Sequence, residues 1–131
     1  MSESLYLPLI TVAEDLEEAG LIWQPEIGDE VSDRFTKATV SILIDPQGMT
    51  PSELRATFIW LPTVEQLIEQ VEARQGILKH MGIELSGDSI FYKTILRAKA
   101  HEIEAKAESL RISLGIALKN LLTDKSQVFL Q

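Results

Sequence analysis

The residues of this sequence with the clearest capacity for chemistry are carboxylates. Glu14, Asp15, Glu17 and Glu18 are followed by Glu26, Asp29, Glu30 and Asp33, the densest run of a single ligand type in the chain. Oxygen ligands of this kind suit Mg²⁺ or Ca²⁺, and Glu14 and Glu18, four residues apart, share one face of a helix. Glu14, Glu18, Asp29 and Asp33 are therefore the metal-ligand candidates, and a divalent-metal-dependent hydrolase using these carboxylates is one functional alternative. The spacing argues against it. An EF-hand loop needs regularly alternating ligands and a terminal glutamate, and the sequence around Asp29 and Asp33 offers neither. A solvated acidic face accounts for the same residues more simply.

The other reactive types are sparse. His80 and His101 are the only histidines; Lys79-His80-Met81-Gly82 reads as a loop, and His101-Glu102-Ile103-Glu104 lacks the second histidine of a zincin helix. Ser86-Gly87-Asp88-Ser89 has turn composition and no nucleophile elbow. The absence of cysteine excludes disulfides, thiolate zinc sites and a cysteine nucleophile together. There is no Walker loop, dinucleotide fingerprint or interleaving of basic and aromatic residues. No catalytic residue and no cofactor is assigned, and the reading leans away from an enzyme.

Charge narrows the partners. The formal net charge is -8, and residues 1–36 hold nine acidic residues against Arg34 alone, whereas acidic and basic residues balance from Lys37 onward. Such a surface opposes binding to a phosphate backbone and permits a basic protein partner or a cation. No apolar run approaches the roughly 20 residues of a membrane span, and the first residues lack a basic n-region. The expected setting is the cytoplasm, with neither a nucleic acid nor a membrane as partner.

These residues have to be positioned by a core. A length of 131 residues fits a single domain, 1–131, able to bury one core. Leu9, Val12, Ala13, Leu16 and Ala19 recur with helical spacing before Gly20, a fitting C-terminal cap. Val64, Leu67, Ile68 and Val71 form a second stripe, opened by Thr63 with Gln66 at capping-box spacing and closed by Gly76 in a left-handed conformation. Thr50-Pro51-Ser52-Glu53 starts a further helical turn or two. Lys37 to Ile44 alternates, with Ala38, Val40, Ile42 and Ile44 on one face. Helix-forming residues compete with period-two alternation between Ile90 and Ala107, and strands are the better fit because one helix through the next segment would be too long. The expected fold is α+β, a small antiparallel sheet packed by about three helices over residues 7–19, 63–75 and 110–122, with strands near 37–44, 56–61, 90–97 and 100–107. In the last helix Leu110, Leu114, Ala117, Leu118 and Leu121 make the apolar stripe, while Ile112 and Ile116 point elsewhere and suggest a homo-oligomer.

Trp23-Gln24-Pro25-Glu26-Ile27-Gly28-Asp29, then Trp60-Leu61-Pro62-Thr63-Val64-Glu65-Gln66-Leu67, then Ala107-Glu108-Ser109 before Ala117-Leu118-Lys119-Asn120-Leu121-Leu122, resembles a group of small uncharacterised bacterial proteins, cyanobacterial ones and phage proteins among them. The resemblance implies a compact α+β domain and carries no activity, cofactor or catalytic residue. The expectation for function is a small non-enzymatic protein-interaction domain, with an acidic inhibitor or immunity-like protein that meets a basic partner as an alternative.

Overall fold

The computed structural model describes residues 2–37 and 39–124, with side chains from residue 6 onward. The described residues form an α+β arrangement of four helices and two three-stranded antiparallel sheets. The single sheet expected from sequence is thus two, each lying within one of two compact units, Met1–Thr63 and Val64–Gln131. Among the described residues no helix is long and apolar enough to cross a membrane.

In the first unit, α1 (Ser2–Glu18) begins earlier than the expected residue 7 and carries Pro8 within it. Its end follows expectation. Gly20 sits at φ +108 and donates to the Glu17 carbonyl, while Leu21 donates to Leu16, the paired bonds of a Schellman cap. Ile10 and Ala13 of α1 pack with Ile59 and Leu61, and Leu9 and Val40 lean on the same cluster. The sheet runs β2 (Val40–Ile42), β1 (Glu30–Asp33), β3 (Phe58–Trp60), with Val31 opposite Trp60 on one side and Ser41 on the other. Before β3, α2 (Pro51–Thr57) opens with the capping box read from sequence: Glu53 N–H donates to Thr50 Oγ1 and Thr50 N–H to Glu53 Oε1.

Two strand expectations need correction here. β1 was not foreseen, because Val31 is the one large apolar side chain in Glu30-Val31-Ser32-Asp33. The expected 37–44 strand shrinks to Val40–Ile42, and Ala38 lies outside the described residues. Val40 meets the core, but Ile42 is 49% exposed and Ile44 76%, while Leu43 on the opposite side is buried. Alternation tells which residues share a face and not how far the covering helix reaches along it.

In the second unit, β4 (Ile77–Ser86), β5 (Ser89–Ala98) and β6 (His101–Ala107) form a meander in that order. The segment read as a loop around His80 is therefore part of β4, with a register irregularity between Leu78 and His80. Its lysine, histidine and glycine weaken the strand pattern, and pairing with the stronger β5 overrides that local preference. α3 (Val64–Ala73) packs on β4 and on α4 (Leu110–Leu122), and α4 packs on β5 and β6. Leu67 and Val71 are buried from α3, Leu114, Ala117, Leu118 and Leu121 from α4. Ser109 caps α4 by accepting from Ile112 N–H.

The end of α3 departs from expectation by one residue. Gln75, at φ +62, occupies the left-handed position, donating to Glu72 while Gly76 donates to Val71. Gly76 is needed for space instead of conformation: a Cβ there would stand 2.9 Å from Val71 Cγ1 and 3.2 Å from the Val71 carbonyl oxygen.

Candidate interaction surface

The structure engages many of the carboxylates that sequence offered for chemistry in holding the first unit together. Glu17 receives both terminal nitrogens of Arg34, at 3.0 and 2.8 Å, and the same guanidinium donates to the carbonyls of Arg55 and Phe58. Pairing with Glu17 raises the Arg34 pKa above its ordinary value. Of the metal-ligand candidates, Glu14 pairs with Lys37 at 2.7 Å, Glu18 is exposed, Asp33 Oδ1 accepts from Phe35 and Thr36 N–H, and Asp29 is buried. Among the described residues no three His, Asp or Glu side chains come together in a way that could hold a metal ion.

Asp29 explains the tryptophan-proline segment. Its Oδ2 accepts from Trp23 Nε1 at 2.8 Å and from Glu26 N–H at 3.0 Å, and its own N–H donates back to the Glu26 carbonyl. Gly28 at φ +100 turns the chain so that this clasp closes. Arg55 Nη1 donates to the Trp23 carbonyl and pins the clasp to α2. The segment is a structural lock, and Arg55, which completes it, was not identified from sequence because its partner lies 32 residues away.

In the second unit the histidines hold ordinary polar positions. His80 is an exposed β4 residue. His101 Nε2 bonds Asp124 Oδ2 just beyond α4. Ser86 and Ser89 face each other across the β4–β5 turn, with Gly87 at φ +62.

One face of the β4–β5 hairpin is only partly used by local packing. The register puts Met81, Ile83 and Leu85 opposite Thr94, Tyr92 and Ile90, six residues on one face without a charge. α4 covers the inner end of that face: Thr94 is fully buried and its hydroxyl bonds Ser113 of α4 at 2.8 Å, and Leu96, Ala98, Ile103 and Ala105 are buried beside it. Toward the turn the cover ends. Met81 and Tyr92 are half-buried, and then Ile83, Leu85 and Ile90 are 61, 72 and 65% exposed.

The opposite face of the same sheet is polar and self-matched. Lys93 lies 2.9 Å from Glu84 and 3.8 Å from Glu104, Lys106 reaches Glu104 and stands 5.2 Å from the Phe91 ring centre, and Glu102 meets Lys79 and Arg97. The lysine bonds hold the Glu84 and Glu102 carboxyls below the usual carboxylate range, and Glu84 in turn holds Lys93 above the usual lysine value. No protein-family model matches the chain, and no curated protein or solved structure matches it.

Proposed function

We propose that this chain is a non-enzymatic protein-interaction domain that binds a second copy of itself through the uncovered apolar end of the β4–β5 hairpin. The observation that carries the reading is the exposure of Ile83, Leu85 and Ile90 at the end of a face whose other end is core. Three large apolar side chains side by side on one sheet face are a patch of the kind that marks an interaction site, unlike apolar residues scattered singly.

Charge selects the occupant. Residues 64–131 contain nine acidic and nine basic residues, so the second unit has no net charge, and the ion pairs of its polar face are satisfied within the sheet. A neutral apolar face is complementary to itself, and a two-fold pairing buries the same patch on both copies. Sequence pointed to Ile112 and Ile116 for this role; both are half-buried on α4, and the hairpin is the better-exposed surface. Three side chains per copy make a small interface, and the expected association is weak, with dissociation in the micromolar range or above.

Light scattering after size exclusion, over a concentration series reaching several hundred micromolar, tests this directly. The mass should rise from 14.7 kDa toward twice that value, and Leu85→Lys should hold it at the monomer value with the fold intact. A wild-type mass that stays at 14.7 kDa throughout contradicts the proposal.

A second reading rests on the first unit. Residues 1–63 hold eleven acidic residues against Arg34, Lys37 and Arg55, so this unit carries the entire net charge of -8. That field favours fast association with a basic protein. A pull-down in which the bound set is the same at low and high salt counts against it.

A further inference from the structure

We propose that the second unit binds a small phosphate monoester with an apolar body in a cavity of about 300 Å³ lined by Arg74, Gln75, Ile77, Arg97, Ala98 and Lys99. The cavity lies toward the end of β5 away from the exposed hairpin tip: Ile77 pairs with Arg97 at one end of the β4–β5 ladder, and Leu85 pairs with Ile90 at the other. The two sites can therefore be tested separately.

The lining is what distinguishes it. In a unit with as many acidic as basic residues, three of the six residues that line the cavity are cationic and none is acidic. They come from three places in the chain, Arg74 from the turn after α3, Arg97 from β5 and Lys99 from the β5–β6 turn. Arg74 is held in place by Nη1, which donates to the Gln70 carbonyl and to Gln70 Oε1 at 2.7 Å, leaving its other N–H groups for a ligand. Arg97 has its nearest carboxylate oxygen, Glu102 Oε2, at 3.5 Å, and that oxygen is also bonded by Lys79. Lys99 makes no ion pair among the described residues.

Charge and volume then choose the ligand class. Two guanidiniums and an ammonium suit a phosphate better than a single carboxylate in charge, because a dianion neutralises more of the three positive charges. A volume of about 300 Å³ is roughly ten times the share of one water in the liquid, ~30 Å³, so inorganic phosphate alone would leave most of it to solvent. Ala98, which is buried, and Ile77 give the remaining wall its apolar character.

The test is a ¹H–¹⁵N titration of the full chain at constant ionic strength with phenyl phosphate, inorganic phosphate and benzoate, and with sodium chloride as control. Phenyl phosphate should give saturating shifts at Gln75, Ile77, Ala98 and Lys99, with inorganic phosphate and benzoate at least tenfold weaker. Arg97→Gln combined with Lys99→Gln should weaken binding at least tenfold again, and Lys99→Gln alone, in an exposed turn, serves if the double variant loses its dispersed spectrum. Shifts that do not saturate, or that match the chloride control, overturn the site. Benzoate binding as tightly as phenyl phosphate overturns the assignment of the dianion.

Discussion

Both units pack a helix against a three-stranded antiparallel sheet and leave an apolar strand face that ends in solvent. In the first unit the series is Val40 against the core, then Ile42, then Ile44; in the second it is Thr94 fully buried, then Tyr92, then Ile90. What separates them is charge. The first unit holds the net -8 and would repel its own copy, whereas the second is neutral and Lys93 on its polar sheet face is paired with Glu84 and Glu104. Similar overhangs thus differ in charge, and that difference is why self-association is proposed for the neutral one.

The sharpest division lies along β5 itself. Leu96→Ala, at a fully buried position under α4, should cost about 2–5 kcal/mol in denaturant unfolding. Ile90→Ala on the same strand should stay within about 0.5 kcal/mol while weakening association. Equal costs at both positions would show that the tip is covered in the monomer and break the comparison.

In the first unit the corresponding test is the clasp. Asp29→Ala leaves the buried Trp23 indole N–H and the Glu26 N–H without this acceptor, and unfolding should report a loss of about 1–3 kcal/mol. The helix ends sharpen the contrast further. Gly76→Ala should cost about 1–3 kcal/mol through contact with Val71. Gln75→Gly should stabilise by about 0.5–1 kcal/mol, because glycine relieves the left-handed strain.

How much of this was legible in sequence follows from the range of each interaction. Gly20, the Thr50–Glu53 capping box and the stripe from Leu114 to Leu121 are local, and all three are where the sequence put them. Gly76 was assigned the wrong reason, since close approach to Val71 depends on helix packing that spacing does not encode. β1 and β4 were missed because pairing stabilises them more than composition does. The exposed tip was hidden for a related reason: Ile83, Leu85 and Ile90 have the pattern of core residues, and only the length of α4 against the hairpin leaves them uncovered.

The smallest effects are those of pH. Glu53 is held below the usual carboxylate range by its bond from Thr50 N–H, and Glu84 and Glu102 by their lysine partners. A depressed folded-state value means that this stability is complete above the ordinary carboxylate range and is lost as pH falls through the lowered value. Lys93 is raised, chiefly by its bond to Glu84, so its share is complete below the ordinary lysine range and is lost as pH rises through the raised value. In unfolding measurements across the acid range, Lys93→Met should reduce the acid-side loss that arises from Glu84. An unchanged acid limb in that variant would remove the ion-pair grid from the account.

The most direct measurement is an isotope-filtered methyl NOE experiment on a concentrated mixture of labelled and unlabelled chains. Intermolecular contacts should join the methyl groups of Ile83, Leu85 and Ile90 in one copy to the same patch in another. A spectrum with no intermolecular NOE at these residues, or with contacts confined to Ile42 and Ile44 or to Ile112 and Ile116, would contradict the hairpin as the interaction surface.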